Sequence, residues 1–426
     1  MASFSSLPGF RDFYPDDFAI RARIVGAWRE VARRYGFEEY DGPPLEPLEL
    51  YIEKSGAEIV HQLYNFEDKG GREVALRPEM TPTLARMAGA RARSLKKPVR
   101  WFSIPQLFRY ERTQRGRLRE HFQWNVDIIG EEGVLGDAEV LAVALDALQY
   151  LGLGADDIVA RVNDRRLLER LLLHVGVPAD QLPAVYAVID KLGRETPERT
   201  RERLHEEAGL GEGSIAELFR IFEHGSFDEL ARAYAGVEGV EDEIARLGQY
   251  LEALNAMGLG AFVRFDPTIV RGLAYYTGIV FEIFDRAGEL RAICGGGRYD
   301  NLLGALGGAD LPALGFGMGD VVLAELLADR GLLPAYRPHL DYYLVAVREE
   351  ERGLLLRAGH ELRRRGYAVG YGLHASGVGR QFKDADARGA ERVIIFGPDE
   401  VAEGVAVVRE MKTGGEERVR IEELVG

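Results

Sequence analysis

Apolar residues recur at spacings of three and four from Phe18 through Ile24, Val25, Trp28 and Val31 to Tyr35. With Pro15-Asp16-Asp17 opening the run and Gly36 closing it, the spacing predicts a first helix over residues 16–35. Asp41-Gly42-Pro43-Pro44 then breaks the chain. Leu45-Glu46-Pro47-Leu48 reads as the edge or start of a strand, because proline withholds a ladder donor. Short apolar runs at 74–76 and 99–108 predict further strands, and the alternating, β-rich stretch 122–130 predicts a longer one. Residues 137–151 return to a helical period. The first 160 residues therefore mix strands and helices without the βαβ rhythm of a doubly wound parallel sheet.

The pattern then changes. Amphipathic stretches at 164–175, 180–192, 196–208, 214–223, 226–235 and 239–257 follow one another, separated by Gly or Pro. Strand character returns at 261–265, 279–284 and 291–294. A catalytic core over 1–330, interrupted by a helical insertion at 163–257, is the expected organisation. Two prolines in Leu333-Pro334-Ala335-Tyr336-Arg337-Pro338 read as a linker. Beyond it, over 336–426, strand and helix alternate from Tyr342 onward, which predicts a small α/β domain with a largely parallel sheet.

Composition narrows the picture. At 426 residues with 46% hydrophobic content, the chain can bury real cores, and it is neither disordered nor fibrous. Its lone Cys294 excludes an internal disulfide framework and a Cys-rich zinc site. No apolar run approaches the roughly 18 residues that span a bilayer. The start Met1-Ala2-Ser3-Phe4-Ser5-Ser6 lacks a basic, apolar leader, so the expected location is cytoplasmic, with no membrane partner. The net charge of −15 argues against indiscriminate nucleic-acid binding. That acidity is uneven: the 163–257 block holds 11 Lys and Arg against 19 Asp and Glu.

The sign reverses locally. Arg109, Arg112, Arg115, Arg117 and Arg119 fall within eleven residues, on a predicted hairpin between strands ending at Phe108 and starting near Phe122. Arginine forks bind phosphate bidentately, so this loop suits a polyphosphate or an RNA end; a solvated hairpin tip is the plainer alternative. Glu79 and Thr81 in Leu76-Arg77-Pro78-Glu79-Met80-Thr81-Pro82 could hold an ammonium group, or Thr81 could simply cap the next helix. Arg271 in Val270-Arg271-Gly272-Leu273-Ala274-Tyr275-Tyr276 needs an anionic partner, either a ligand or a structural carboxylate such as Asp266. Gly295-Gly296-Gly297 permits close backbone approach, and Gly315, Gly317 and Gly319 would leave one strand face open to a flat ring.

Together these clusters resemble the class II aminoacyl-tRNA synthetases, and within them the histidyl enzymes. The resemblance runs from Leu7-Pro8-Gly9-Phe10-Arg11-Asp12 to the C-terminal domain. Pro44 matches motif 1, Phe108 through Asp127 matches motif 2, and Arg271–Tyr276 with Gly295–Asp300 match two histidine-specific motifs. Gly379 to Asp386 is similar to the family's anticodon-binding domain. The implied fold is an α+β catalytic domain on a mixed, mainly antiparallel sheet with a helical insertion, plus a C-terminal α/β anticodon-binding domain.

The resemblance also implies roles. Glu79, Thr81 and Gln123 would hold the α-amino group of histidine, while Asp127 and Tyr276, with Tyr275 beside them, would face its imidazole. Arg109 and Arg271 would act at the carboxylate and the α-phosphate of ATP, and Arg117 at the outer phosphates. His121 would stack on adenine, and Arg112 and Gln114 would touch the acceptor end of a histidine tRNA. ATP as substrate, Mg2+, a homodimer, and an insert that clamps tRNA are further implications, with no metal ligands readable. Three positions depart from the family pattern: Val322 replaces the motif 3 arginine, Ala274 replaces an acid, and His121 replaces a phenylalanine. The rival expectation is a non-catalytic paralogue, the regulatory subunit of ATP phosphoribosyltransferase.

Overall fold

The computed structural model describes residues 4–55, 57–192, 195–271 and 275–425, in two compact units, Met1–Pro334 and Ala335–Gly426. The first begins with α1 (Pro15–Arg34), whose acidic first turn and basic last turn both suit the helix dipole. After β1 (Glu38–Glu39) comes an outlying subdomain of β2 (Leu45–Pro47), α2 (Leu48–Ser55), β3 (Asn65–Glu67), β4 (Glu73–Leu76) and α3 (Thr81–Arg91). β2 lies at the edge of that three-stranded sheet, where Pro47 costs little. The predicted strand at 99–108 is two, β5 (Val99–Ser103) and β6 (Gln106–Phe108), parted at Ile104-Pro105. Then follow β7 (Glu120–Ile129), α4 (Val134–Tyr150) and β8 (Ile158–Asp164).

The insert supplies α5 (Arg165–His174), α6 (Leu182–Ile189), α7 (Pro197–Glu206), α8 (Glu212–Glu223), α9 (Phe227–Ala233) and α10 (Glu241–Ala256). The chain returns through β9 (Val263–Phe265), β10 (Ile279–Asp285), β11 (Cys294–Arg298), α11 (Leu302–Gly307), β12 (Ala313–Gly319) and α12 (Asp320–Asp329). One sequence expectation is displaced here. The strand starts at Cys294, where the prediction ended, and the glycine triplet is its body. Pairing with β10 on one side and β12 on the other overrides glycine's poor strand propensity.

The main sheet has the order β1-β5-β7-β12-β11-β10-β8-β9, with β6 beside β7. Only β1–β5 and β8–β9 pair in parallel, so the sheet is mixed and mainly antiparallel. Its back face carries Trp124, Val126, Phe281, Ile283, Phe316 and Met318 in one apolar core with α1, α4 and α12. Trp28 of α1 stacks on Trp124 with ring centres 6.0 Å apart. Burying that back face fixes the register, because a slip by one residue would turn the core residues outward. The front face is thereby assigned too.

The second unit comprises β13 (Leu340–Ala346), α13 (Arg352–Arg364), β14 (Val369–Tyr371), α14 (Val378–Ala387), β15 (Ala390–Phe396), α15 (Pro398–Ala402), β16 (Val405–Glu410), β17 (Glu416–Arg420) and α16 (Ile421–Val425). β14, β13 and β15 are parallel, while β16 and β17 add an antiparallel hairpin. β17 escapes sequence reading because Glu416-Glu417-Arg418 is an exposed edge with no apolar alternation. Among the described residues, no helix is long and apolar enough to cross a membrane.

Candidate active site

Cross-strand partners share one face of a sheet, and successive residues alternate faces. Asp127 of β7 pairs with Gly315 of β12, which pairs with Gly297 of β11. Two residues along, Asn125, Gly317, Gly295 and Glu282 form a row across β7, β12, β11 and β10. The front face therefore has two walls bearing polar side chains and a floor of nearly bare backbone. A cavity of about 100 Å³ lies on that floor, lined also by Glu79, Thr81, Arg109, Gln123, Tyr276 and Tyr299. The floor tolerates no side chains. A Cβ on Gly315 would stand 2.3 Å from an Asp127 carboxylate oxygen, and one on Gly295 would stand 2.3 Å from the Arg271 guanidinium.

At one end lies Asp127. Burial pushes its carboxyl up to about 7, against the hydrogen bond that it accepts from the Tyr299 hydroxyl. Tyr275 stands over Tyr276 with centres 4.6 Å apart, and edge-on to Tyr299 at 5.9 Å, making an aromatic wall. Thr81 lines the cavity as the first residue of α3. The cap position is Met80 and no side chain caps this helix, so capping does not account for Thr81. Arg109 donates through Nε to the Pro78 carbonyl at 3.0 Å, which seats it beside the Glu79 turn.

At the other end, Arg271 has φ of +52°, the left-handed region that a non-glycine residue seldom occupies. Its anionic partner is Glu282, not Asp266. Asp266 instead lies 3.6 Å from Arg161 and accepts a bond from the Thr268 hydroxyl. Burial alone would lower the Arg271 guanidinium, but Tyr276 and Glu282 outweigh it and hold the group above its ordinary value. Its Nε is buried without a hydrogen-bond partner, an open donor beside the cavity. Gly272, Leu273 and Ala274, including the missing acid, lie outside the described residues.

The basic hairpin holds to its predicted place, with Arg109 N–H donating to the Arg119 carbonyl at 2.9 Å and Gln114 bridging to Arg117. It is not a bare solvated tip. Arg117 donates to Glu111 at 2.7 Å, Arg115 to Glu325 of α12 at 3.3 Å, and the Gly116 N–H to the same carboxylate at 3.1 Å. Val322 packs under Gly116, so this stretch of α12 offers an apolar contact where a cation was expected. His121 shares the face of Gln123, while Phe122 turns away against Phe13 and the Arg21 guanidinium. Burial, then Arg109, Arg11 and Arg117, hold the His121 imidazole down at about 3, leaving a neutral ring. Arg112, Gln114, Arg117 and His121 do not line the cavity.

Sequence reading assigned no role to Asn125, Tyr299 or Glu282, though Asn125 and Glu282 each carried a signal. Asn125 alternates with Gln123 and Asp127, and Glu282 is the one charge amid Ile279-Val280-Phe281-Glu282-Ile283-Phe284. Arg11 was also undervalued. It joins Glu120 at 2.6 Å and Asp320 at 2.9 Å, tying the N-terminal segment to β7 and α12. No cluster of three or more His, Cys, Asp or Glu suited to a metal ion occurs among the described residues.

Comparisons with known proteins converge. The family model for histidyl-tRNA synthetase matches residues 9–320, and that for an anticodon binding domain matches 342–426. A histidine–tRNA ligase of Opitutus terrae is 45% identical, covering 100% of this chain and 98% of its own length. The chloroplastic/mitochondrial histidine–tRNA ligase of Arabidopsis thaliana is 40% identical over 98% of this chain and 85% of its own. The crystal structure of histidyl-tRNA synthetase from Nostoc sp. PCC 7120 superposes with a TM-score of 0.83 at 24% identity, covering 100% and 99% of the two chains.

Proposed function

The chain belongs to the histidyl-tRNA synthetase family, and from that premise we infer how its cleft serves histidine–tRNA ligation. The enzyme is a class II aminoacyl-tRNA synthetase that joins histidine to its tRNA at the expense of ATP. The observation that carries the residue assignment is the walled glycine floor: a carboxylate with a tyrosine at one end, and a half-buried arginine whose buried Nε is an open donor at the other. That polarity suits a substrate with an imidazole at one end and a carboxylate at the other.

In this reading Glu79, Thr81 and Gln123 hold the α-amino group. Asp127 accepts an imidazole N–H with Tyr275 and Tyr276 alongside, and two partners on a two-nitrogen ring reject analogues that cannot hydrogen-bond. The histidine carboxylate is already an anion, so it attacks the α-phosphorus of ATP without a general base; a carboxyl–phosphate anhydride forms and diphosphate leaves. Arg109 and Arg271 stabilise the charge gathering on the α-phosphoryl oxygens, and Arg117 leaves Glu111 for the outer phosphates. His121 offers adenine a neutral ring. The terminal adenosine of the tRNA then attacks the acyl carbon, releasing AMP, while Arg112 and Gln114 meet the acceptor end.

Mg2+ enters as the companion of the ATP phosphates. Among the described residues no cluster of three or more His, Cys, Asp or Glu stands ready to cage it. A cytoplasmic homodimer belongs to the same reading, supported by Pro44 at the motif 1 position and testable by sedimentation. The regulatory-subunit alternative is disfavoured by the anticodon-domain match over 342–426. The test is histidine-dependent exchange of pyrophosphate into ATP. Exchange is expected, and Arg271→Ala should lower it by more than about tenfold while histidine binding persists. No exchange from folded enzyme at saturating histidine would sink this assignment.

A further inference from the structure

The residue preceding Arg271 belongs to another part of the molecule. Val270, 2% exposed, belongs to a hydrophobic cluster whose other buried members, Leu168, Leu172, Val185 and Leu204 among them, all come from the helical insert. Its carbonyl accepts a bond from the Arg165 guanidinium at 3.4 Å, and that guanidinium lies over the Tyr186 ring of α6 at 4.5 Å.

The rest of the segment is fastened to the same junction of β8 and α5. The Asn163 amide donates to the carbonyls of Pro267 and Ile269 at 3.0 and 3.1 Å. Downstream, the Arg165 N–H donates to the Gly278 carbonyl at 3.0 Å and Arg166 Nε to the Thr277 carbonyl at 2.9 Å. A non-glycine residue stays in the left-handed region only where its surroundings over-determine it, and Arg271 is such a residue.

The geometry points to the insert as the element that aims Arg271. Val270 is a positioning residue for histidine activation: it acts through the backbone of Arg271, and the Arg165–Tyr186 stack completes the anchor. The insert thereby serves the first chemical step, before any tRNA arrives, as well as its expected work as a clamp. This rests on the reading of Arg271 as the group that meets the α-phosphoryl charge.

The test measures histidine-dependent pyrophosphate exchange for Val270→Ala, Leu218→Ala, Arg271→Lys and the Val270→Ala/Arg271→Lys double variant. Leu218 of α8 belongs to the same cluster but is remote in sequence from Arg271, so it controls for packing loss. Val270→Ala is expected to lower kcat at least about tenfold with the KM for histidine within about threefold, and Leu218→Ala to stay within about threefold. In the Arg271→Lys background Val270→Ala should cost less than about twofold further, because both changes act on one group. Arg165→Ala, which removes the bond to the Val270 carbonyl without opening the core, carries the same expectation if Val270→Ala fails to fold. Equal losses for Val270→Ala and Leu218→Ala, or an undiminished loss in the Arg271→Lys background, would overturn the anchor. Unchanged exchange by Arg271→Lys alone would instead remove the role of Arg271, and the anchor with it.

Discussion

Asp127 and Gly295 show how single residues set the site. The folded enzyme keeps a proton on Asp127 up to about pH 7, whereas an ordinary aspartate releases it near 4. An imidazole N–H needs the carboxylate form as acceptor, so the KM for histidine should rise as pH falls through about 7. Asp127→Asn should weaken binding and erase that limb, leaving only the titration of the substrate itself; KM measured between about pH 6 and 8 distinguishes the two. The same sign governs stability: the raised value makes this group's contribution decline as pH climbs from about 4 to 7. Gly295→Ala places a methyl on the Arg271 guanidinium, so exchange should fall by about tenfold or more in a protein that still folds. Much of this was legible in the sequence. Glu79, Thr81, Gln123, Asp127 and Arg271 line one cavity, as the motifs implied. Glu282 stands out as the one charge in its strand, but its pairing with Arg271 was not legible, because the fold and not the local pattern brings β10 to the residue eleven positions before it.

At the scale of elements, the helices were the readable part. A period near 3.6 bounded by Gly and Pro located the six insert α-helices of the described residues, since each turns an apolar stripe to the core. Strands made of glycine were not readable, because alternation needs side chains to alternate, and β11 was placed at its own doorstep. Besides its ladder with β10 and β12, β11 is anchored by its last residue. Arg298 donates to Asp137 of α4 at 2.6 Å and to the carbonyls of Glu131 and Gly133 at 2.8 and 3.2 Å, with both charged groups almost wholly buried. Removing Asp137 leaves the buried Arg298 charge only the 3.3 Å carboxylate contact with Asp300. Asp137→Ala should therefore cost about 3–5 kcal/mol in urea unfolding, far more than removal of the exposed Arg418–Glu403 pair.

At the scale of the whole chain, the charge of −15 gains a geography. The insert carries much of the excess acid, while the hairpin that would meet phosphate is arginine-rich and pinned to α12 by Glu325. Activation and tRNA selection should separate along the chain. Ending it at residue 334 is expected to spare histidine-dependent exchange within about threefold and to reduce aminoacylation by at least about a hundredfold, measured by the two assays on one preparation. A parallel loss in both would contradict that division.

The bare floor of β11 and β12 also limits what the cleft can become. Glycine is already the smallest residue, so no substitution can deepen the pocket from below, and every larger one obstructs it. Engineering toward bulkier amino acids must therefore work the walls, at positions such as Gln123, Asp127 and Tyr276, where side chains can be shortened. The floor is a fixed datum for substrate scope, one that library design should leave undiversified.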